Sequence, residues 1–244
     1  LHTGSTIVEG TAGNMGLGIA FAAIGKGYRV IFVVPEKFSE EKQTLMRALG
    51  AEIVNTPRED GMLGAAAKAD ALLKEIPNSI ALRQFKNLDN PEAHYRSTGP
   101  EIWRDLGGEV DYFIAGAGSG GTFTGVTRFL KEKNPKIHAT LADPVGSTMG
   151  GGKHGDYDIE GIGNDFVADT MDMSLVDEVI KVNDEQAFAA SRLLASKEGI
   201  FAGSSSGAAL TAALEVASHA KPGSSVVTIL PDRGDRYFSK HLYA

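Results

Sequence analysis

The chain has 244 residues, of which 42% are apolar and 23% charged, and its net charge at pH 7 is −7. These values are ordinary for a soluble globular protein and argue against a nucleic acid or an acidic membrane surface as partner. The sequence contains no cysteine and no apolar run of about 20 residues, which excludes disulfides, cysteine-ligated zinc, a cysteine nucleophile and an ordinary membrane-spanning helix. We expect a cytoplasmic protein and predict no metal site.

Strand and helix signals alternate from the start of the chain. Residues 6–9 predict a strand that leads through the glycine-rich turn 10–16 into a helix extending to Lys26, with Gly27 after its end. The apolar segment 29–34 predicts a buried strand, and Ser39 predicts the cap of a helix that ends at Gly50. The next predictions are a strand at 52–55, a helix at 65–76, a strand at 79–85 and a helical stretch at 92–106 interrupted near Pro100.

The second half repeats this alternation. Strands are predicted at 110–115, 137–142, 178–182 and 225–230, and helices after Gly121 and at 185–197 and 208–219. The glycine-rich segment 146–165 predicts a loop. Such alternation is typical of βαβ units, so the predicted fold class is α/β, with parallel sheets flanked by helices.

The turn after the predicted strand 110–115 carries the most chemical information. Its glycines let a ligand approach the backbone, and the free N–H groups of the turn and of the following helix attract an anion. We therefore interpret the turn as a phosphate-binding loop formed by Gly118, Ser119, Gly120, Gly121 and Thr122. Two other turns, 10–16 and 203–207, are also glycine-rich and also precede helices.

Two alternative functions each use one turn. Gly116, Gly118 and Gly121 satisfy the G-x-G-x-x-G pattern of a dinucleotide site, with Asp143 at the end of the next strand as the acid that binds the ribose. This hypothesis predicts an NAD-dependent oxidoreductase.

The turn 203–207 satisfies the G-x-S-x-G pattern of a hydrolase and is followed by Asp232 and His241. Only three apolar residues precede it, whereas a hydrolase elbow ends a full central strand. This hypothesis predicts a Ser-His-Asp enzyme.

A third interpretation uses all three turns. One binds a phosphate, one presents Asn14 and neighbouring N–H groups to a carboxylate and a phenolic oxygen, and one presents a serine hydroxyl to a neutral ring nitrogen. That set is typical of pyridoxal phosphate bound to an amino-acid substrate. Ser204, Ser205 and Ser206 could each cap the following helix, so spacing alone does not decide between that role and ligand binding for Ser205.

The whole chain resembles the cysteine synthase and cystathionine β-synthase family of pyridoxal-phosphate enzymes, which has the tryptophan-synthase-β-like fold. The segments that carry the resemblance are 11–16 (TAGNMG), 84–91 (QFKNLDNP) with His94, 98–103 (TGPEIW), 118–122 (GSGGT) and 199–207 (GIFAGSSSG). The segments 143–147 (DPVGS) and 160–166 (EGIGNDF) resemble the cystathionine β-synthase branch.

The resemblance implies two subdomains, 1–85 and 86–244, with the cofactor between them and a homodimeric assembly. It implies that Asn14 and Ser205, together with the phosphate-binding loop, contact the cofactor. The residues that it implies for substrate binding are Thr11, Ala12, Gly13, Asn14, Met15, Gln84 and Gly161. Apart from its place in the segment that resembles the family, we interpret His94 as a surface or packing histidine.

The implied reaction is loss of a β-leaving group from serine or O-acetylserine, followed by addition of a thiol. Homocysteine, giving cystathionine, is the first choice of thiol, and sulfide, giving cysteine, is the alternative. The sequence departs from the family in two respects. Ala12 and Met15 stand where the family has hydroxyl residues, and no lysine has the context of the Schiff-base lysine, which we expect upstream of this chain.

Overall fold

The computed structural model describes residues 1–11 and 13–243. The chain divides into two compact units, one formed by Leu1–Arg83 with Arg236–His241 and the other by Gln84–Asp235 with the residues from Leu242 onward. Each unit contains one four-stranded sheet in which all paired strands are parallel. The predicted α/β architecture is therefore confirmed. No helix in the described part of the chain is long and apolar enough to cross a membrane.

The first unit has the strand order β3-β2-β1-β4. Its elements are β1 (Thr6–Gly10), α1 (Asn14–Ala23), β2 (Arg29–Pro35), α2 (Glu40–Ala48), β3 (Glu52–Thr56), a 3-10 turn (Arg58–Asp60), α3 (Gly61–Glu75), β4 (Ser79–Ile80) and a second 3-10 turn (Phe238–Lys240).

The residues of β2 explain the layers of this unit. Val30, Phe32 and Val34 pack with residues of α1 and α2, whereas Ile31 and Val33 pack with α3. Because side chains alternate along a strand, one uninterrupted apolar run supplies both faces of a sheet that is covered on both sides.

The second unit has the strand order β7-β6-β5-β8. Its elements are α4 (Asp89–Arg96), α5 (Thr98–Asp105), β5 (Tyr112–Gly116), α6 (Gly121–Lys133), β6 (His138–Pro144), a 3-10 turn (Met173–Leu175), β7 (Glu178–Val182), α7 (Asp184–Glu198), α8 (Ser204–His219), β8 (Val226–Thr228) and a 3-10 turn that begins at Gly234.

The central strand β5 again supplies both faces. Phe113 and Ala115 pack with α6, and Ile114 packs with α8. The predicted loop 146–165 contains no helix or strand.

Two predicted elements differ from the observed ones because side chains bind the backbone. The predicted strand 79–85 ends at Ile80, since the N–H groups of Leu82 and Arg83 donate to the Glu9 carboxylate at 2.8 and 3.0 Å and not to a strand. The break in the helical stretch lies at Ser97, whose hydroxyl donates to the Ala93 carbonyl oxygen at 2.7 Å. Pro100 is the third residue of α5, where a missing N–H costs nothing.

Two helix ends were also predicted inaccurately. Helix α1 ends at Ala23 and not at Lys26, and α8 begins at Ser204 and not at Ala208. The earlier start of α8 places all three serines in its first turn, which changes what each of them contacts.

Candidate functional site

The predicted phosphate-binding loop lies between β5 and α6. Gly120 has the left-handed φ of +84° that the entry into α6 requires. Among the described residues, the N–H groups of Gly118, Ser119 and Gly120 donate to no protein acceptor. Unused N–H groups at the beginning of a helix form an anion site, so a phosphate group fits this loop.

The opposite side of the loop is packed too closely for side chains. A Cβ on Gly118 would lie 2.5 Å from the carbonyl oxygen of Gly161, and one on Gly120 would collide with Met171. A Cβ on Gly121 would collide with the side chain of Asn90. The glycines therefore allow the loop to lie directly on its supporting residues.

Asn90 and Thr170 stabilise the phosphate-binding loop through hydrogen bonds to Ser119. The Asn90 amide nitrogen donates to Ser119 Oγ at 2.8 Å and to the Gln84 carbonyl oxygen at 2.9 Å. The Thr170 hydroxyl donates to the Ser119 carbonyl oxygen at 2.5 Å. The Gln84 carbonyl oxygen is thus bonded to a residue that supports the phosphate-binding loop. Gln84 is also a predicted substrate contact.

His94 has a more specific place than the sequence analysis gave it. Its Nε2 lies 3.0 Å from the Thr122 hydroxyl and its Nδ1 lies 2.9 Å from the Thr98 hydroxyl. Burial lowers the pKa of His94, so the ring is neutral and has one donor and one acceptor nitrogen. His94 thus orients the last hydroxyl of the phosphate-binding loop. No local sequence pattern indicates this role, because Thr122 is 28 residues away from His94.

The three serines of α8 have different surroundings. Ser204 Oγ accepts the Glu160 N–H at 3.0 Å, and Ser206 is fully buried with a hydroxyl that has no hydrogen-bond partner among the described residues. Ser205 retains a small exposed area, and no described residue hydrogen-bonds to its hydroxyl. A Cβ on Gly161 would lie 3.8 Å from Ser205 Oγ. Ser205 is therefore the serine whose hydroxyl is available to a ligand.

The environment of α8 does not fit a hydrolase elbow. In the described residues 199–203, no strand leads directly into Ser204. Ala202 forms only an isolated antiparallel bridge with Arg233. A Cβ on Gly207 would collide with the Ala187 carbonyl oxygen, so this glycine serves the close packing of α7 and α8. The G-x-S-x-G match thus arises from helix packing.

The loop after β6 is attached to the phosphate-binding loop. The Gly163 N–H donates to the Ala117 carbonyl oxygen at 2.8 Å, and the Asn164 amide nitrogen donates to the Gly118 carbonyl oxygen at 2.5 Å. The Ser147 hydroxyl donates to the Asn164 carbonyl oxygen at 3.0 Å. The segments 143–147 and 160–166 therefore meet beside the predicted phosphate site.

Asp143 does not have the environment of a ribose-binding acid. It is 1% exposed, and its Oδ2 accepts from Lys181 Nζ at 2.6 Å and from the Gly150 N–H at 3.0 Å. Lys181 also donates to the carbonyl oxygens of Ser147 and Gly151. This ion pair shapes the loop after β6, which removes the main support for the dinucleotide hypothesis.

In the first unit, the predicted substrate loop is residues 11–16. Thr11 is buried, and its Oγ1 accepts the N–H groups of Gly13 and Gly16, both at 3.2 Å. Asn14 is the first residue of α1, and Met15 packs against the apolar cluster that includes Leu17. Ala12 lies outside the described residues. The substrate roles of these residues stay predictions.

Comparison with known proteins identifies the family. A family model described as "Pyridoxal-phosphate dependent enzyme" matches residues 2–232. The chain is 52% identical over 240 residues to an O-acetylserine dependent cystathionine beta-synthase of Bacillus subtilis, covering 98% of the chain and 78% of that protein. It is 48% identical over 239 residues to a cysteine synthase of Helicobacter pylori, with the same coverage of 98% and 78%.

Solved structures agree with this assignment. The crystal structure of an O-acetylserine dependent cystathionine beta-synthase from Helicobacter pylori superposes with a TM-score of 0.95 at 48% identity, covering 98% of this chain and 78% of that one. An O-ureido-L-serine synthase superposes with a TM-score of 0.94 at 36% identity, covering 100% and 77%. The chain therefore belongs to the family of pyridoxal-phosphate dependent enzymes.

Proposed function

We propose that this protein catalyses a β-replacement in which a thiol displaces the β-substituent of O-acetylserine or serine, with homocysteine as the favoured thiol and cystathionine as the product. The observation that carries the proposal is the position of Gly161. It lies against Gly118 on one side and beside Ser205 on the other, so the anion site and the available hydroxyl open next to the same glycine.

Each end of the cofactor has a partner in the second unit. The N–H groups of Gly118, Ser119 and Gly120, with the Thr122 hydroxyl oriented by His94, bind the phosphate. The Ser205 hydroxyl would donate to the pyridine nitrogen of the bound cofactor and, because it carries no charge, would favour the neutral form of that nitrogen. When bound, pyridoxal phosphate supplies the electron sink that allows a β-substituent to leave.

The substrate is held by its carboxylate. We assign this role to the N–H groups at the start of α1, to Asn14 and to Gln84, with Gly161 leaving room for the amino acid. The beginning of a helix favours an anion, and Thr11 keeps the backbone of the loop in one conformation. Because Ala12 and Met15 replace hydroxyl residues, the loop has fewer donors than the family pattern.

O-acetylserine is the first substrate that this site favours. Acetate leaves more easily than hydroxide, so a loop with fewer donors is better matched to the ester. The relative that is 52% identical carries the name O-acetylserine dependent cystathionine beta-synthase, which supports the same choice. Cysteine synthase remains the second candidate, because a relative with that name is 48% identical.

The deciding assay supplies the full-length protein with each amino acid and each thiol and compares kcat/KM for the four combinations, since that ratio measures discrimination. We expect O-acetylserine with homocysteine to give the highest value. Cysteine formation from sulfide without detectable cystathionine would leave a cysteine synthase. If no combination reacts, β-replacement is wrong as a class.

We further propose a cytoplasmic homodimer that acts on small molecules and binds neither nucleic acid nor membrane. The family resemblance supports the dimer, and the acidic, cysteine-free composition supports the compartment. Sedimentation of the full-length protein tests the assembly, and a monomer at micromolar concentration would contradict it.

A further inference from the structure

The segment Arg236–His241, here called the tail segment, lies in the same compact unit as residues 1–83. Four hydrogen bonds, between three pairs of described residues, join it to residues 37–41 at the beginning of α2. Ser39 Oγ contacts the Arg236 carbonyl oxygen at 2.5 Å, and the Glu41 carboxylate accepts the Ser239 N–H and hydroxyl, both at 2.7 Å. Lys240 Nζ donates to the Lys37 carbonyl oxygen at 2.5 Å.

The tail segment also contacts a lysine that is buried in α2. Lys42 is 2% exposed and Tyr237 is 1% exposed. Lys42 Nζ donates to the Tyr237 hydroxyl at 2.5 Å and lies 4.3 Å from the centroid of its ring. A buried ammonium requires such partners, so Tyr237 fixes the course of the lysine side chain.

The lysine in turn supports the substrate loop. A Cβ on Gly13 would lie 2.5 Å from Lys42 Cδ, so the backbone of the loop rests directly on the lysine stem. Gly13 has a φ of +147°, which a residue with a side chain rarely adopts. The tail segment makes a second contact here, because Arg236 Nη1 donates to Asn14 Oδ1 at 3.3 Å.

We propose that Arg236, Tyr237 and Lys42 are positioning residues for the amino-acid substrate. The bond from Arg236 orients the Asn14 amide so that a carboxylate meets the Nδ2 donor and not the Oδ1 acceptor. Tyr237 and Lys42 hold the backbone beneath it, which lowers the conformational entropy lost on binding. This inference rests on the proposed role of residues 11–16 as the substrate loop.

The kinetic test compares Arg236→Ala and Tyr237→Phe in the full-length holoenzyme. Losing one hydrogen bond to the loop should raise KM for O-acetylserine about tenfold in Arg236→Ala, while kcat and KM for the thiol change less than about twofold. Arg233→Ala is the matched control, because the guanidinium of this exposed arginine pairs with Asp235. A purely structural role would instead lower the fraction of active enzyme and leave KM unchanged.

A second measurement does not depend on turnover. Hydrogen exchange of the peptide spanning residues 11–16 is followed with and without saturating L-alanine, which has the amino and carboxyl groups but no β-leaving group. The wild type and Arg233→Ala should show protection by L-alanine, and Arg236→Ala and Tyr237→Phe should show less. If the variants match the wild type in protection and KM, this inference is wrong. If the wild type shows neither protection nor β-replacement, the proposed function itself is wrong.

Discussion

Ser204, Ser205 and Ser206 occupy the first turn of α8, yet their hydroxyls have different surroundings. Ser204 receives a backbone N–H, Ser206 is fully buried, and Ser205 faces the region beside Gly161. Successive residues of a helix point about 100° apart, which explains why neighbours in sequence differ in environment. A substitution at each serine should therefore have its own effect.

Replacing Ser205 should change kcat more than it changes the retention of the cofactor. We expect Ser205→Ala to retain most of the bound pyridoxal phosphate, because the phosphate-binding loop is intact, and to lower kcat at least about tenfold through loss of a buried donor. Ser205→Asp should favour a protonated ring nitrogen and shift the absorption of the bound cofactor. The measurements are kcat and the visible absorption spectrum.

Ser206→Ala is the control for that pair. Its buried hydroxyl has no hydrogen-bond partner in the described part of the chain, so the variant should keep kcat and be as stable as the wild type or more so. Labelling of Ser205 by a fluorophosphonate would contradict our assignment, since such reagents modify activated nucleophiles.

Replacing Gly120 should remove the cofactor. Gly120→Asp adds a negative charge beside the proposed phosphate site and a side chain at a φ of +84° against Met171. We expect the purified variant to retain less than about a tenth of the wild-type pyridoxal phosphate after dialysis, because an uncompensated buried charge costs several kcal/mol.

Gly151→Asp is the matched control for the backbone strain caused by a side chain at a positive φ. Gly151 has a similar φ of +86°, and no atom lies within 4 Å of an added Cβ. The control carries the same charge and a similar backbone strain away from the phosphate-binding loop, without the collision with Met171. Equal cofactor loss in both variants would show that strain, and not the anion site, is responsible.

His94 should make the stability of the second unit sensitive to acid. Its pKa is lowered by burial, so the unfolded chain binds more protons than the folded chain between the folded pKa and the ordinary value of about 6.5. Its contribution is complete above that ordinary value and is lost as the pH falls toward the folded pKa. The melting temperature of the wild type should therefore fall between pH 7 and pH 5, and the fall should be smaller in His94→Gln.

His219→Gln, an exposed residue in the last turn of α8, is the control for this measurement and should follow the wild type. A His94→Gln profile identical to that of wild type would refute the role of this histidine.

At the scale of elements, long apolar runs were predictable and their ends were not. Arg29–Pro35 and Tyr112–Gly116 became central strands because their apolar residues can be buried only inside a covered sheet. The ends of β4 and α4 depend on the Glu9 carboxylate and the Ser97 hydroxyl. Glu9 is 73 residues away from Leu82 in sequence, so no local pattern contains that information.

The beginning of α7 allows an element-scale prediction. Asn183 accepts the Gln186 N–H at 2.9 Å, and the Gln186 side chain accepts the Asn183 N–H at 3.0 Å, which forms a capping box. Asn183→Ala should lower the free energy of unfolding by about 1 kcal/mol, as measured by denaturant unfolding. Glu185→Gln, in the same turn, should cause a smaller loss, and equal losses would mean that the cap contributes little.

At the scale of the whole molecule, the parallel α/β class, the family and the three glycine-rich turns could be predicted from the sequence. The role of His94 and the side chains that support the loops could not be predicted. Contacts across long sequence separations are made by Asn90, Thr170 and Lys42. The tail segment is the clearest case. Nothing in residues 236–241 indicates that they pack with residues 37–42.

The position of the tail segment has a consequence for synthesis on the ribosome. Tyr237 follows Lys42 by 195 residues, so the tyrosine leaves the ribosome roughly 20 s after the lysine at a rate of about 10 residues per second. During that interval residues 84–235, which form most of the second unit, are synthesised, whereas the first unit still lacks its final segment. The nascent chain can therefore form its phosphate-binding loop before the loop that we assign to the amino acid is fully supported. A chain released after synthesis stops shortly before residue 236 would have the phosphate-binding loop but would lack the residues that support the substrate loop.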